Sequence, residues 1–415
     1  MQNQMLKKNV RNLIVGLDIG TSKVVAIVGE MTYDGRIEVI GLGSHPSRGL
    51  KRGVVVNIES TVQSIQRAVE EAELMADCRI SEVYTGVAGS HIRSLNSSGM
   101  VAIKEGEVQQ PDIDRVIETA KAIAIPNDQQ ILHILPQEFI IDGQDDVREP
   151  LGMSGVRLEV KVHIVTGAVS AVENIAKCVR RCGLQLNDIV LQPLASAAAV
   201  LNDDEKELGV CLMDIGGGTT DIAVFAGGAI RHTAVIPIAG DQVTNDIAMT
   251  LRTPTKEAEE LKIRHGCALR QLADANDIVE VPGVGERSPR KLSRPMLAEV
   301  IEPRIEELYT LVQSELRRSG FEELLSSGVV ITGGTSMLQG MAELGEEVFH
   351  LPCRIGIPSY VGGLADVVRS PRYSTAVGLL QYGRDQWMRA EAARAQVKGI
   401  GGVAERMRQW FKANF

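Results

Sequence analysis

GLDIGTSKVVAIVG (residues 16–29) and GVCLMDIGGGTTDIAVFAGG (residues 209–228) share one frame. In each, an apolar run ends in Asp-Ile-Gly, a short turn of Gly, Thr and Ser follows, and a second β-rich run returns. That pattern is a hairpin of buried strands. Asp18 and Asp214 hold equivalent places, each near the end of the first strand. Their separation, about 200 residues, marks a repeat of whole domains rather than a solenoid period. A third turn of the same kind lies in GVVITGGTSMLQGM (328–341), which reads as strand, glycine-rich turn and helix start.

These turns carry the chemistry. Gly20-Thr21-Ser22, Gly216-Gly217-Gly218-Thr219-Thr220 and Gly333-Gly334-Thr335-Ser336 each follow a β-run. Glycines let backbone N–H groups approach a phosphate closely, and hydroxyls add donors. Asp18 and Asp214, one per repeat, suit a hydrated Mg²⁺ held between two half-domains, because that ion prefers one or two carboxylates with waters and phosphate oxygens. Lys23 neutralises phosphate as a point charge. The chain contains no GxxxxGK[ST] motif, and no GxGxxG follows its first strand. A single Asp-Ile-Gly turn is an ordinary strand ending; two in a duplicated frame, with a third turn between strand and helix, point to a nucleotide.

Composition narrows the class. The 415 residues are 44% hydrophobic and 23% charged, enough for several packing units with substantial cores. Six thinly spread cysteines form no disulfide framework, which fits a reducing cytoplasm. Cys178 and Cys182 lie one helical turn apart, but no second Cys/His pair follows, so they read as packing groups. The seven histidines form no HExxH or triad order. With 3% aromatics and a net charge of −9, a stacking platform for nucleic acid is not expected. No apolar run approaches 18 residues, so no membrane-spanning helix is expected, and the polar, basic residues 1–12 do not open a signal peptide.

Along the chain, apolar spacing predicts helices over 58–76, 111–125, 170–182 and 241–264, and a longer one over 296–318 that Pro303 kinks or interrupts. VRLEVKVHIV (156–165) alternates strictly and reads as a strand with one wet face. A short strand is expected at 188–193. Residues 274–295, rich in Pro, Gly and Arg, read as a loop or hairpin; residues 373–383 as a small-residue helix; residues 386–402 as a polar linker ending in Gly401-Gly402.

Charge concentrates at the end. Residues 386–415 carry six basic and two acidic groups, so the rest of the chain is at −13. In VAERMRQWFKANF (403–415), Val403, Met407, Trp410, Phe411 and Phe415 share one helical face, with Arg406, Arg408 and Lys412 on the flanks. Such a segment suits the interface of an anionic bilayer. Full burial of each apolar side chain contributes roughly 1.5–3 kcal/mol, ordering costs about 1–2 kcal/mol per residue, and each basic group adds about 1 kcal/mol. The result is a reversible anchor, strengthened by avidity in a polymer.

The three turns together resemble the two phosphate loops and the adenosine loop of the actin-like ATPase superfamily. The segment Leu191 to Ala197 (LQPLASA) resembles that superfamily's first connecting segment. More narrowly, GLDIGTSKV, HPSRGLKRGVVVNIEST, ILPQEFIIDGQ, AEELKIRHGCA, LAEVIEPR, VVITGGTS and YSTAVGLLQYG are similar to the FtsA family of bacterial cell-division proteins, over residues 13 to about 383. The resemblance implies an α/β, actin-like duplicated fold: two lobes around a nucleotide cleft. Subdomain 1A would be 13–85 and 166–205, with 373–383 returning to it; an inserted subdomain 1C would be 86–165; subdomain 2A would be 206–240 and 301–372; subdomain 2B would be 241–300; the linker and terminal helix would follow at 386–402 and 403–415.

It also implies roles. ATP and Mg²⁺ are the expected cofactors. Asp18 and Asp214 would organise Mg²⁺ through water; Gly20, Thr21, Ser22 and Lys23, with Gly216, Gly217, Gly218 and Thr219, would hold the phosphates. Gly333, Gly334, Thr335 and Met337 would border the adenosine, and Glu259 and Lys262 the ribose and base. Gln192 would orient the attacking water. A neutral amide is a poor base, so hydrolysis with Gln192 and Asp214 should be slow at most. Expected partners are the C-terminal tail of the tubulin-like FtsZ, met by Arg287, Arg290, Lys291, Arg294 and Arg304; further copies in filaments; anionic inner-membrane lipids; and later division proteins through subdomain 1C. The expected place is the cytoplasmic face of the inner membrane at the septum. A sugar or acetate kinase of the same superfold would need a positioned Asp base. A pilus-assembly relative should lack the basic Trp/Phe helix, and a chaperone ATPase would need a substrate domain for which no residues remain.

Overall fold

A computed structural model describes residues 12–285, 288–359 and 361–391. The two quoted hairpins form as expected. Leu13–Ile19 pairs antiparallel with Lys23–Met31, closing at Ile19 and Val24; Val210–Ile215 pairs antiparallel with Thr220–Ala226, closing at Ile215 and Thr220. Almost every residue of these four strands is buried, so the sheets are covered on both faces.

Each hairpin seeds a sheet of the same order. In the first lobe, Ile37–Pro46 extends the meander, while Glu82–Val87 and then Gln185–Leu191 add parallel strands on the other side of Leu13–Ile19. In the second, Ala229–Ile236 extends the meander, while Val329–Thr332 and Cys353–Ile355 add parallel strands beside Val210–Ile215. The duplication read from two turns is a duplication of topology, and both turns lie at the carboxyl ends of their first strands, where open α/β sheets bind ligands.

Between the two sheets run the helix Gln192–Val200 and a helix over 374–391. Their small residues join Ile27, Val39, Leu212, Ala223 and Val330 in one shared core. The helices touch backbone to backbone: a Cβ on Gly378 would lie 1.8 Å from the Ala195 carbonyl oxygen. The second helix continues through 391, so the stretch expected as a linker from 386 is helical at its start. Ala, Arg, Glu and Gln there are strong helix formers, and no breaker precedes Gly399. The remainder, 392–415, lies outside the described residues.

The helix Ile58–Ala76 matches its expected bounds, started by the Asn57 side chain accepting from the Ser60 N–H and ended by Asp77 in the left-handed region. Val169–Arg181 packs beside it, and the Cys182 thiol donates to the Val62 carbonyl at 3.6 Å. The helix expected over 111–125 is Gln110–Lys121, opened by a Pro in its first turn. That expected over 241–264 is two, Gly240–Leu251 and Thr255–His265; Pro254 disfavours the helical conformation at Thr253, and Arg252 turns at φ 45°. Residues 274–295 contain a hairpin, Ile278–Val281 with Arg290–Ser293. Pro303 does not interrupt the helix Arg294–Ser319. It sits on the exposed face, where water can take the carbonyl it leaves unbonded, while Leu297, Ile301, Ile305, Leu308 and Tyr309 bury the opposite side.

A separate four-stranded sheet interrupts the first lobe, ordered Arg93–Ala102, Arg157–Ala168, Gln129–Ile141, Gln144–Val147, with Gln110–Lys121 packed on it. Its strand 157–168 corrects the expectation of one wet face. Arg157 and Lys161 are exposed, but beyond Lys161 both faces are buried. The second lobe covers them: His163 bonds Thr233 at 2.9 Å, and Ser94 donates to the Thr233 carbonyl.

Candidate functional site

The two hairpin turns are superposable in chemistry. The Gly20 N–H bonds the Lys23 carbonyl at 3.0 Å, and the Gly216 N–H bonds the Thr219 carbonyl at 3.0 Å. They face each other across a cavity of about 310 Å³, within the range of small-molecule sites. Asp18, Gly20 to Lys23, Gln192, Asp214, Gly216 to Thr219, Glu259, Lys262, Gly333 to Thr335 and Met337 all line it. Residues separated by three hundred positions in sequence therefore share one wall.

The third turn locks onto the second. Thr335 donates to the Gly216 carbonyl at 2.7 Å. Gly333 has φ 87°, and a Cβ there would lie 2.4 Å from an Asp214 carboxylate oxygen; no other residue combines that turn with that approach. Beside these turns, Lys262 is 7% exposed and donates to the Gly240 carbonyl and to Thr244, while pairing with Glu259 at 2.7 Å. Thr244 also donates to Glu259, which leaves the pair fixed at the cavity edge.

The carboxylates are costly to keep charged. Asp18 and Asp214 are 8% and 9% exposed. Burial pushes Asp18 up, and the neighbouring Asp214 adds to it while Lys23 opposes it. Burial also raises Asp214, against hydrogen bonds from Ser196 at 2.5 Å and Thr375 at 3.2 Å. Lys23 is pushed down by burial and by Arg372. Its ammonium donates to the Arg372 carbonyl at 2.6 Å and lies 4.6 Å from the Tyr373 ring centroid. Gln192 commits its amide N–H to Asp18 at 3.2 Å, and its carbonyl remains as an acceptor for water.

Sequence reading missed Asp221, Arg372, Thr375 and Asp241, all of which line the cavity. Asp221 stands directly across the hairpin from Asp214, where the first hairpin has Val25 across from Asp18. It is 4% exposed; burial and then Asp214 push its pKa up to about 8. One of its oxygens accepts from Thr219 at 3.1 Å and the other is buried without a partner. The only signal was the duplicated register itself.

Among the described residues, no three His, Cys, Asp or Glu side chains converge tightly enough to cage a metal unaided. The arrangement instead fits a cation held through water: clustered buried carboxylates, one with an orphaned oxygen, whose charge a divalent ion would stabilise.

The basic residues expected to meet a peptide are less uniform. Lys291 is exposed and Arg290 donates to the Leu251 carbonyl. Arg294 turns inward to the His265 carbonyl and Gln339. Arg304 is held by Asp246 at 2.5 Å and by Glu307. Arg287 and the terminal residues Val403, Arg406, Met407, Arg408, Trp410, Phe411, Lys412 and Phe415 lie outside the described residues.

The cleft can be set beside known proteins. A family model described as cell division protein FtsA matches residues 211–378, and one described as the SHS2 domain inserted in FTSA matches 89–166, the separate sheet. Cell division protein FtsA of Pseudomonas aeruginosa is 63% identical over 411 residues, covering 97% of this chain and 98% of that protein. Among solved structures, the PilM-PilN type IV pilus biogenesis complex aligns with TM-score 0.65 at 19% identity, covering 89% of this chain and 98% of that one. MreB5 of Spiroplasma citri bound to ADP aligns with TM-score 0.57 at 15% identity, over 91% and 98%. The duplicated sheets and facing turns are thus an actin-like fold, and with near-complete coverage at such identity the chain belongs to the FtsA family of cell division proteins.

Proposed function

We propose that this protein is an ATP-binding, membrane-attached actin homologue that polymerises on the inner membrane, links the FtsZ ring to it and helps recruit later division proteins. The observation that carries the nucleotide part is the pair of equivalent turns facing each other across one cavity with Asp18 and Asp214 between them. That MreB5, of the same fold, is bound to ADP is in keeping with it.

In this reading the backbone N–H groups of Gly20 to Ser22 and Gly216 to Gly218 take the phosphates, and Lys23 neutralises them. Glu259 and Lys262 mark the nucleoside end and Met337 borders it. Asp18 and Asp214 hold a hydrated Mg²⁺, with Asp221 behind them; when bound, that ion neutralises charge developing on the phosphates. Gln192 accepts from the attacking water and orients it without removing its proton, so turnover is slow. A slow clock suits a polymer whose state follows its nucleotide better than it suits a metabolic kinase.

The acidic FtsZ tail would be met near the hairpin Ile278–Val281/Arg290–Ser293. Lys291 is the best probe, because reversing Arg304 would also break its internal pairs. The terminal segment 403–415 supplies the lipid contact. The test is pelleting of the full chain with anionic liposomes, with and without ATP. Attachment should vanish when Trp410 and Phe411 are both replaced by Glu; replacing Arg406, Arg408 and Lys412 by Gln should weaken binding only to anionic liposomes, an effect that salt should mimic in the unsubstituted chain. Pelleting of the double Glu variant would remove the segment from the account.

A further inference from the structure

The helix over 374–391 begins inside the cleft. Its first turn, and the turn Pro371–Tyr373 before it, touch all three ligand loops: Lys23 of the first hairpin donates to the Arg372 carbonyl, Thr375 donates to Asp214 of the second, and Ser370 reaches Met337 of the third. Ser374 bonds Thr332, and Thr375 bonds Ser196. The same helix leads in sequence toward the basic terminal segment.

One charge in this knot has no ion-pair partner among the described residues. Arg372 lines the cavity and is exposed, while both its neighbours are buried. Its guanidinium lies 5.2 Å from the Tyr373 ring centroid, on which the Lys23 ammonium also sits at 4.6 Å. Two cations share one ring, and among the described residues neither makes an ion pair. Like charges so placed repel, and Arg372 contributes to the lowering of the Lys23 pKa. An anion between or beside them would remove that cost, and a guanidinium offers paired donors matched to phosphate oxygens.

We propose that Arg372 is a second phosphate-binding cation beside Lys23, and that through it the polyphosphate of the bound nucleotide fixes the root of the helix 374–391. The proposal rests on the cleft holding a nucleotide, and adds a residue outside the duplicated turns together with a consequence for the helix. Nucleotide occupancy is passed to the helix by charge: with phosphate present the turn 371–373 is held on both sides, by the ligand at Arg372 and by Lys23 at its carbonyl; without it, only the Lys23 side holds.

The test compares the full chain with Arg372→Gln and Arg372→Lys. Calorimetric affinity for ATP and for ADP should fall about tenfold or more in Arg372→Gln, recover in part in Arg372→Lys, and be unchanged for adenosine, which has no phosphate. The unfolding temperature without nucleotide should not fall, since Arg372 is exposed, makes no ion pair among the described residues and stands near a second cation. In the unsubstituted chain, ATP should slow hydrogen exchange of the amides in the first two turns of 374–391, and at matched occupancy that slowing should be absent in Arg372→Gln. Unchanged ATP and ADP affinities, or a lowered unfolding temperature without nucleotide, would overturn the binding role; unchanged exchange behaviour would overturn the transmission. If Asp214→Ala loses nucleotide while Arg372→Gln does not, the cleft assignment stands and this proposal falls; if the unsubstituted chain binds no nucleotide, the cleft assignment itself is what failed.

Discussion

The two hairpins are alike in backbone and unlike in charge. Both end their first strand in Asp-Ile-Gly, and both close the same four-residue turn with a 3.0 Å hydrogen bond. Where the first has Lys23, the second has Thr219; where the first has Val25 across from its Asp, the second has Asp221. The repeat holds two copies of one glycine-rich turn, and single residues make them differ. The first copy is the side that carries a cation, Lys23, beside Asp18 and supported by Arg372 and Tyr373; the second carries only carboxylates, Asp214 and Asp221, buried behind a turn of three glycines. A cavity with one purely anionic wall and one that also carries a cation suits a ligand that is itself two-signed, such as a nucleotide with its divalent cation.

The largest effect should come from the anionic wall. Asp214→Ala should lower Mg²⁺-ATP affinity about 100-fold in calorimetry while the protein stays folded. On the cationic wall, Lys23→Ala should cost about tenfold in the same titration. Thr219→Ala, at the matching position, should cost about threefold or less, since it removes one neutral donor. Equal losses at Lys23 and Thr219 would mean that the walls are not specialised.

Asp221 sharpens the contrast through pH. Its pKa in the folded chain is raised to about 8, above the roughly 3.9 of an unfolded Asp. The folded state therefore binds the extra proton. The stabilisation is fully present below the unfolded value and is lost as pH rises through about 8. Without Mg²⁺ or nucleotide, the unfolding temperature should fall between about pH 6 and pH 8.5, and Asp221→Asn should flatten that fall. Asp18, Asp214 and Asp241, shifted in the same direction, will leave a residual slope, and Lys23, pushed down to about 7, will oppose it above that pH. A profile unchanged by Asp221→Asn would show that the group is charged and solvated across the range. The smallest effect is at the hairpin proposed to meet the peptide, where Lys291→Glu should weaken binding of a fluorescent FtsZ tail peptide by about threefold, as expected for an exposed charge; no change would place that contact elsewhere.

What was legible in the sequence follows from how local its cause is. The turns, the helix 58–76 and the repeat were readable because spacing and glycine placement express them within a dozen residues. Pro254 was also a local signal, and the periodicity of 241–264 hid it. The buried second face of 157–168 was not readable, because the strand 229–236 that covers it is remote in sequence. Asp221 lies in a run read only as a buried strand, and its place across from Asp214 shows once the hairpin is paired; Arg372 lies just before the helix read over 373–383, and its place in the cleft shows once the fold brings Lys23 to its carbonyl. The residues of the site that escaped notice are those whose role is set by a partner hundreds of positions away.

On the proposed function, the two hairpins act on one ligand rather than two. A double-mutant cycle on Asp18 and Asp214, read by Mg²⁺-ATP calorimetry, tests it most directly. If both carboxylates serve the same cation, either single Ala substitution should remove most of the affinity, and the double variant should lose little more. Losses that multiply in the double variant would show two carboxylates acting independently and would contradict the account.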